Sequence, residues 1–242
     1  MTVLAVEGIS RQFGGLTALD SVSLAVSKGE IFGVMGANGA GKTTLFAVIA
    51  GHVKPTAGRV TLRGEDVTGL RPDLICRMGL TRTFQIVKPF GGLSVFDNAM
   101  TGALYGSRAS RTRRDAEAVA LQAIGDAGLS DRVDQEARML TLSGQKRLEV
   151  ARALATGARV ILLDEVMAGL TPTEVEEMLA MVARLRAERG ITFLVIEHVM
   201  KALMTLSDRV LVLHHGQEIA LGTPEEIAAD PQVLELYYGG AA

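Results

Sequence analysis

Residues 36–44 read Gly36-Ala37-Asn38-Gly39-Ala40-Gly41-Lys42-Thr43-Thr44, a spacing that fits G-x-x-x-x-G-K-[ST]. Backbone N–H groups converge on phosphate oxygens only where small residues let the chain wrap closely, and a following helix N-terminus favours the anion. Lys42 adds a point charge toward the β- and γ-phosphates, and the Thr43 hydroxyl suits Mg²⁺. The pattern sits between an apolar strand, Ile31-Phe32-Gly33-Val34-Met35, and an apolar helical run over 45–50. That setting favours phosphate binding over a plain glycine-rich turn.

A second group of polar residues follows the apolar run Val160-Ile161-Leu162-Leu163, where Asp164 and Glu165 come out at the carboxyl end of a buried strand. Asp164 suits Mg²⁺ coordination, and Glu165 suits polarising a water for attack on a γ-phosphate, a reaction that depends on positioning and charge neutralisation. Without the glycine-rich loop, the same pair would read as solvated turn material. His198 follows another buried strand; it either hydrogen-bonds a γ-phosphate or water, or is a satisfied polar residue at a strand end. Gln85, after Thr81-Arg82-Thr83-Phe84, either touches Mg²⁺ or water or caps a lobe. His214 and His215 precede Gly216 and read as a solvated hairpin turn.

The elements that must position these groups alternate short apolar runs with longer helical patterns, the mark of a layered α/β protein. Residues 31–35, 160–163, 192–196 and 210–213 are continuously apolar, as strands covered on both faces must be. Val22, Leu24 and Val26 alternate with Ser21, Ser23 and Ala25, so a half-exposed antiparallel β-lobe opens the chain. Thr171-Pro172-Thr173-Glu174 and Thr223-Pro224-Glu225-Glu226 are helix starts in which Thr caps, Pro fills the first turn and Glu reaches back. After the first, Val175, Met178, Leu179, Val182 and Leu185 share one helical face. Between Phe84 and Ala158 the strand pattern gives way to helical stretches near 94–104, 113–127 and 146–154, a mainly helical insertion.

With 242 residues, 48% of them hydrophobic, the chain can bury one sizeable core, or a core plus a small appended lobe, and disorder is excluded. The net charge of −2, from 25 basic and 27 acidic residues, creates no global field that would gather nucleic acid or anionic membrane. Cys76 is the single cysteine, and the amino terminus lacks a secretion signal, so a reducing cytoplasm is expected. The longest stretches free of charge, 31–41 and 43–53, fall short of the roughly 20 residues a bilayer-spanning helix needs. Arg108, Arg111, Arg113 and Arg114 form the densest basic cluster and read as a solvated connection rather than a phosphate-binding patch, since no aromatic residues interleave with them.

The order of these pieces (phosphate loop, Gln85, a signature-like stretch at 140–145, Asp164-Glu165, His198) resembles the ATP-binding cassette family over nearly the whole chain. Phe13-Gly14-Gly15-Leu16, Thr83-Phe84-Gln85, Glu197-His198-Val199-Met200 and the tail from Gly222-Thr223-Pro224-Glu225 onward are most similar to ATPase subunits of branched-chain amino acid importers. The resemblance implies a P-loop NTPase (RecA-like) α/β core at 1–85 and 159–242, with an N-terminal antiparallel β-lobe and an inserted helical subdomain at 86–158. It also implies two subunits sandwiching two ATP molecules with Mg²⁺, head to tail. Phe13 then stacks on adenine, and residues Gly36, Ala37, Asn38, Gly39, Ala40, Gly41, Lys42, Thr43 and Thr44 bind ATP. Thr43, Gln85 and Asp164 serve the metal, while Glu165 and His198 serve hydrolysis. Closure would push on membrane-spanning permease subunits, docked beside the Gln85 loop and residues 90–98, at the cytoplasmic face of the inner membrane. A solute-binding receptor would be coupled indirectly, and no nucleic acid is expected as a partner.

Three departures from the family pattern stand out. The usual Leu-Ser-Gly-Gly-Gln signature aligns with Leu140-Thr141-Leu142-Ser143-Gly144 in preference to a second register, Leu142-Ser143-Gly144-Gln145, which requires a one-residue deletion. Both usual glycines are then displaced, leaving the Thr141 hydroxyl and the backbone near Ser143 and Gly144 to meet the opposite subunit's phosphate. Val166 stands where proline is common, and Thr171 where aspartate is common. Two other functions compete with the importer ATPase. One is a soluble cassette ATPase acting on nucleic acid or ribosomes, disfavoured because the chain has one cassette and no heptad array. The other is a nucleotide-binding regulator with little hydrolysis, suggested by the altered signature.

Overall fold

A computed structural model describes residues 1–84, 89–107 and 112–238. In chain order the elements are β1 (Thr2–Phe13), β2 (Leu16–Ser27), β3 (Ile31–Met35), α1 (Lys42–Ile49), β4 (Ala57–Leu62), β5 (Glu65–Asp66), α2 (Pro72–Arg77), β6 (Leu80–Arg82), α3 (Val95–Tyr105) and α4 (Arg113–Asp126). Two single 3₁₀ turns, Ser130–Arg132 and Ala137–Met139, lead to α5 (Leu142–Ala155), β7 (Val160–Asp164), α6 (Pro172–Arg189), β8 (Thr192–Ile196), α7 (Met200–Leu206), β9 (Arg209–His214), β10 (Gln217–Gly222), α8 (Pro224–Ala229) and α9 (Pro231–Tyr238). The chain divides into two compact units, Met1–Pro72 with Thr192–Ala242, and Asp73–Ile191.

In the first unit an antiparallel sheet runs β2-β1-β4-β5. The alternation in β2 sets its register: Val22, Leu24 and Val26 are buried while Ser21, Ser23 and Ala25 face out, and Val26, Leu24 and Val22 sit opposite Leu4, Val6 and Ile9 of β1. The parallel strands are built otherwise. β3 lies between β8 and β9, parallel to both, and β10 returns antiparallel along β9. Every residue of β3 and β8 is buried, which explains their unbroken apolar sequences. Large side chains such as Phe32, Leu45, Phe46, Ile49 and Phe193 fill this layer, each contributing about 1.5–3 kcal/mol on burial.

The second unit pairs β6 in parallel with β7 and gathers α3, α4 and α5 against one another. α6 is fixed at both ends: Thr171 accepts from the N–H of Glu174, Glu174 Oε2 accepts from the N–H of Thr171 at 2.9 Å, Pro172 fills the first turn, and Gly190 closes the helix at φ 62°. Its inward stripe is Met178, Met181, Val182 and Leu185, with Val175 and Leu179 half-buried, so the expected face is present and Met181 joins it. The same capping box at Thr223 and Glu226 starts α8. The three expected helical stretches correspond to α3, α4 and α5, except that α5 begins at Leu142 rather than near Lys146.

Candidate active site

In the first unit, the loop between β3 and α1 is shaped by close approaches that a side chain would block. A Cβ on Gly36 would lie 2.5 Å from the carbonyl oxygen of Leu213, and one on Gly41 would lie 2.6 Å from that of Ala18. Gly41 also has φ 105°, open to glycine and strained for any other residue. It is the N-cap of α1 and makes no side-chain cap hydrogen bond, and a helix N-terminus of this kind favours an anion. The Gly216 N–H donates to the carbonyl of Ala40 at 3.0 Å, tying the loop to the β9–β10 turn.

Lys42 is buried, and its Nζ donates to the carbonyl oxygens of Gly36 at 2.6 Å and Ala37 at 3.0 Å, so the ammonium is folded back under the loop. Ala37, Asn38, Gly39 and Thr43 are exposed and Thr44 is half-buried, the arrangement expected of a loop that presents its backbone outward. Phe13, at the end of β1, is 44% exposed, with the Arg11 guanidinium carbon 4.4 Å from its ring centroid, so one aromatic face is available for stacking. His198 follows β8 and is exposed, directly after buried Glu197. His214 and His215 form the β9–β10 turn with Gly216; His215 is exposed at φ 47°, and the two imidazoles meet edge to face at 4.1 Å.

In the second unit, Asp164 ends β7 and is fully buried. Arg82 donates from Nη2 to Asp164 Oδ2 at 2.6 Å, within a pair whose side chains are 7% and 0% exposed. Thr83 holds the backbone alongside: its N–H donates to the carbonyl of Leu162 at 2.9 Å, and its Oγ1 accepts from the N–H of Asp164 at 3.1 Å. Asp164 Oδ1 has no hydrogen-bond partner among the described residues. A buried, unpartnered carboxylate oxygen is a hard donor of the kind Mg²⁺ takes, so the residue fits that ion. No group of three or more His, Cys, Asp or Glu side chains that could hold a metal occurs among the described residues.

Glu165 is buried and has φ 53°, the left-handed region. Lys146, buried on α5, donates from Nζ to the Glu165 carbonyl at 2.8 Å. Thr141 caps α5, its Oγ1 accepting from the N–H of Gly144 at 3.2 Å, and Gln145 Nε2 donates to the carbonyl of Leu140 at 3.0 Å. Ser143 and Gly144 are buried. Thus the displaced signature still forms a helix start, with Gly144's N–H engaged by its own cap.

A cavity of about 250 Å³ in the same unit is lined by Cys76, Arg82, Phe84, Tyr105, Glu149 and Arg152 among others. Asn98, buried on α3, accepts from the N–H of Phe90 at 2.9 Å and donates to the carbonyl of Ser94 at 2.9 Å, and Arg152 stacks over Phe90 at 4.8 Å. Burial pushes the Cys76 thiol up against hydrogen bonds to Thr81 and Thr156 that pull it down. Gln85, Arg108 and Arg111 lie outside the described residues. Arg113, in the first turn of α4, pairs with Glu117 on exposed surface at 3.1 Å. Sequence reasoning missed Arg82, Thr83 and Lys146, whose partners lie 82, 81 and 19 residues away.

Comparison with known proteins completes the picture. Residues 19–168 match the family model for the ABC transporter domain. The chain is 40% identical, over 99% of its length and 98% of the relative's, to the high-affinity branched-chain amino acid transport ATP-binding protein LivG of Salmonella typhimurium. It is 37% identical over the same shares to the corresponding protein BraF of Pseudomonas aeruginosa. Its fold superposes on a nucleotide-free ATP-binding cassette from an ABC transporter with TM-score 0.89 at 32% identity, covering 99% of this chain and 100% of that one. A second cassette, in its ADP conformation, gives TM-score 0.89 at 33% identity over 99% of each chain. The chain belongs to the ABC transporter family, as one of its ATP-binding ATPase cassettes.

Proposed function

We propose that this chain powers the uptake of branched-chain amino acids, or of a related small polar solute, through separate membrane-spanning permease subunits. The observation that carries the reading is that identity to branched-chain amino acid transport ATP-binding proteins runs over 99% of the chain. None of the described helices is long and apolar enough to cross a membrane, so force must pass to other subunits. The protein then works as a pair of cassettes at the cytoplasmic face of the cell membrane. The helical segment 86–158 is the lobe that meets the permease, and the cavity beside Phe84 and Phe90 is its seat.

The residues divide the work as follows. The loop over 36–44 receives the triphosphate on its N–H groups, and Lys42 turns from the Gly36 and Ala37 carbonyls to the phosphates. Phe13 stacks on adenine. Thr43, Asp164 and Gln85 hold Mg²⁺, which neutralises charge on the β- and γ-phosphates when bound. Glu165 orients the attacking water and accepts its proton, and His198 donates to the γ-phosphate. Thr141, Ser143 and Gly144 face the partner cassette's nucleotide, chiefly through the α5 helix start.

Glu165→Gln tests the assignment: it should keep ATP binding, lower turnover by about 100-fold or more, and trap a nucleotide-bound dimer on size-exclusion chromatography. Equal hydrolysis by variant and wild type overturns the role of Glu165. Stimulation of ATPase activity by a reconstituted permease loaded with leucine, isoleucine or valine, or with a related small polar solute, tests the cargo; no stimulation by any of them overturns it.

A further inference from the structure

Arg82 has no role in the assignments above, yet among the described residues it makes the ion pair with Asp164. Its guanidinium is nearly sealed from solvent, bonded to Oδ2 at 2.6 Å, with its carbon 5.6 Å from the Phe84 ring centroid. The backbone of Asp164 is fixed independently by Thr83, the next residue along the chain. The restraint on the carboxylate and the restraint on its backbone therefore come from one strand end, β6 and the residue after it. A pair serving stability alone would satisfy both carboxylate oxygens; here Oδ1 is fully buried and has no partner among the described residues. Carboxylates that ligate metals are commonly held in this way, one oxygen tied by a hydrogen-bonding partner and the other turned to the ion. Arginine suits the task because its planar fork keeps its charge and direction when desolvated.

We infer that Arg82 is a positioning residue for ATP hydrolysis, fixing Oδ2 of Asp164 so that Oδ1 is presented to the divalent cation of the bound nucleotide. The inference rests on the proposed function's reading of Asp164 as a Mg²⁺ ligand. Arg82 touches neither nucleotide nor metal and acts through the carboxylate alone. Its guanidinium opposes the metal's charge as well as orienting its ligand, so the sign of its effect is the decisive observable: orientation requires that losing Arg82 weaken metal binding.

The experiment uses the full-length protein with Mn²⁺ as a paramagnetic probe at saturating ADP, read by electron paramagnetic resonance, and ADP binding in EDTA measured separately. Arg82→Met should weaken Mn²⁺ binding by about 10–100-fold, and Arg82→Lys, which keeps the charge and loses the fork, by a smaller factor. ADP affinity in EDTA should be unchanged for both. In an Asp164→Asn background, Arg82→Met should have no further effect. Unchanged or tighter Mn²⁺ binding by both variants overturns the inference. So does an equal loss of metal-free ADP affinity, or an Arg82→Met effect that persists without the Asp164 carboxylate, since either marks a general structural role. Absence of metal-dependent nucleotide uptake by the wild-type protein overturns the proposed function itself, whereas equal uptake by wild type and Arg82→Met overturns this inference alone.

Discussion

Lys146→Met separates the proposed task of Glu165 from its placement. Glu165 sits at φ 53°, a conformation that costs a non-glycine residue roughly 1–2 kcal/mol, so surrounding structure must hold it there. One such restraint is the Lys146 ammonium, 3% exposed, 2.8 Å from the Glu165 carbonyl oxygen, which also accepts from the N–H of Ala168 at 3.3 Å. Methionine keeps the length and apolar stem of lysine and cannot donate. A hydrogen bond from a charged donor contributes about 1.5–3 kcal/mol, and removing a buried ammonium returns part of that, so the expected loss in urea denaturation is about 1–2 kcal/mol. The larger effect falls on turnover. Relaxation of the backbone by about 1 Å at the residue that orients water lowers kcat by about 100-fold, with nucleotide affinity unchanged. A cycle with Glu165→Gly isolates the cause: glycine carries no left-handed strain to relieve when the donor is lost, so Lys146→Met should cost roughly 1 kcal/mol more stability in that background. Wild-type kcat for Lys146→Met, or the same stability loss in both backgrounds, refutes the reasoning.

Three further outcomes follow from single contacts. The Glu174 carboxyl is held below its ordinary value of 4.5 by the Thr171 backbone and hydroxyl donors. Its contribution is therefore complete above that value and lost as pH falls through the folded value. Glu174→Gln should flatten this part of the acid limb of a stability–pH curve, and an unaltered limb contradicts the capping box. Gly102 faces α5 so closely that a Cβ would lie 2.5 Å from the Arg152 carbonyl oxygen; Gly102→Ala should cost about 1–3 kcal/mol, and an unchanged urea midpoint refutes that packing. The Cys76 thiol, raised by burial from its ordinary 9.0, should react with iodoacetamide more slowly than a peptide cysteine at pH 8 and still be gaining rate above pH 9. Equal rates at pH 8 refute the shielding.

What could be read from the sequence was local, and the reason is physical. The phosphate loop is one contiguous stretch between β3 and α1, and the glycines that allow its turns are the ones the pattern names. The strands β3, β7 and β8 announce themselves because burial on both faces demands apolar residues throughout. The caps at Thr171 and Thr223 are complete within four residues. By contrast, β6 is three residues long with a polar Thr81-Arg82 end, and only its pairing with β7 makes it a strand. α5 starts earlier than its periodicity suggests because Thr141 caps Leu142-Ser143-Gly144, a stretch of mixed helix preference.

The acidic dipeptide of the second unit follows the same logic. Asp164 and Glu165 are adjacent in sequence, so the dipeptide is visible, but what orients them comes from Arg82 and Lys146, each of which reads alone as an ordinary solvated cation. Burial turns them into positioning groups, and burial is a property of the assembled unit. A sequence motif thus names the atoms that touch substrate, while the charges that aim those atoms arrive through contacts that only the folded chain creates. The Arg82 and Lys146 variants test that division directly, because each leaves the motif intact and removes only its support.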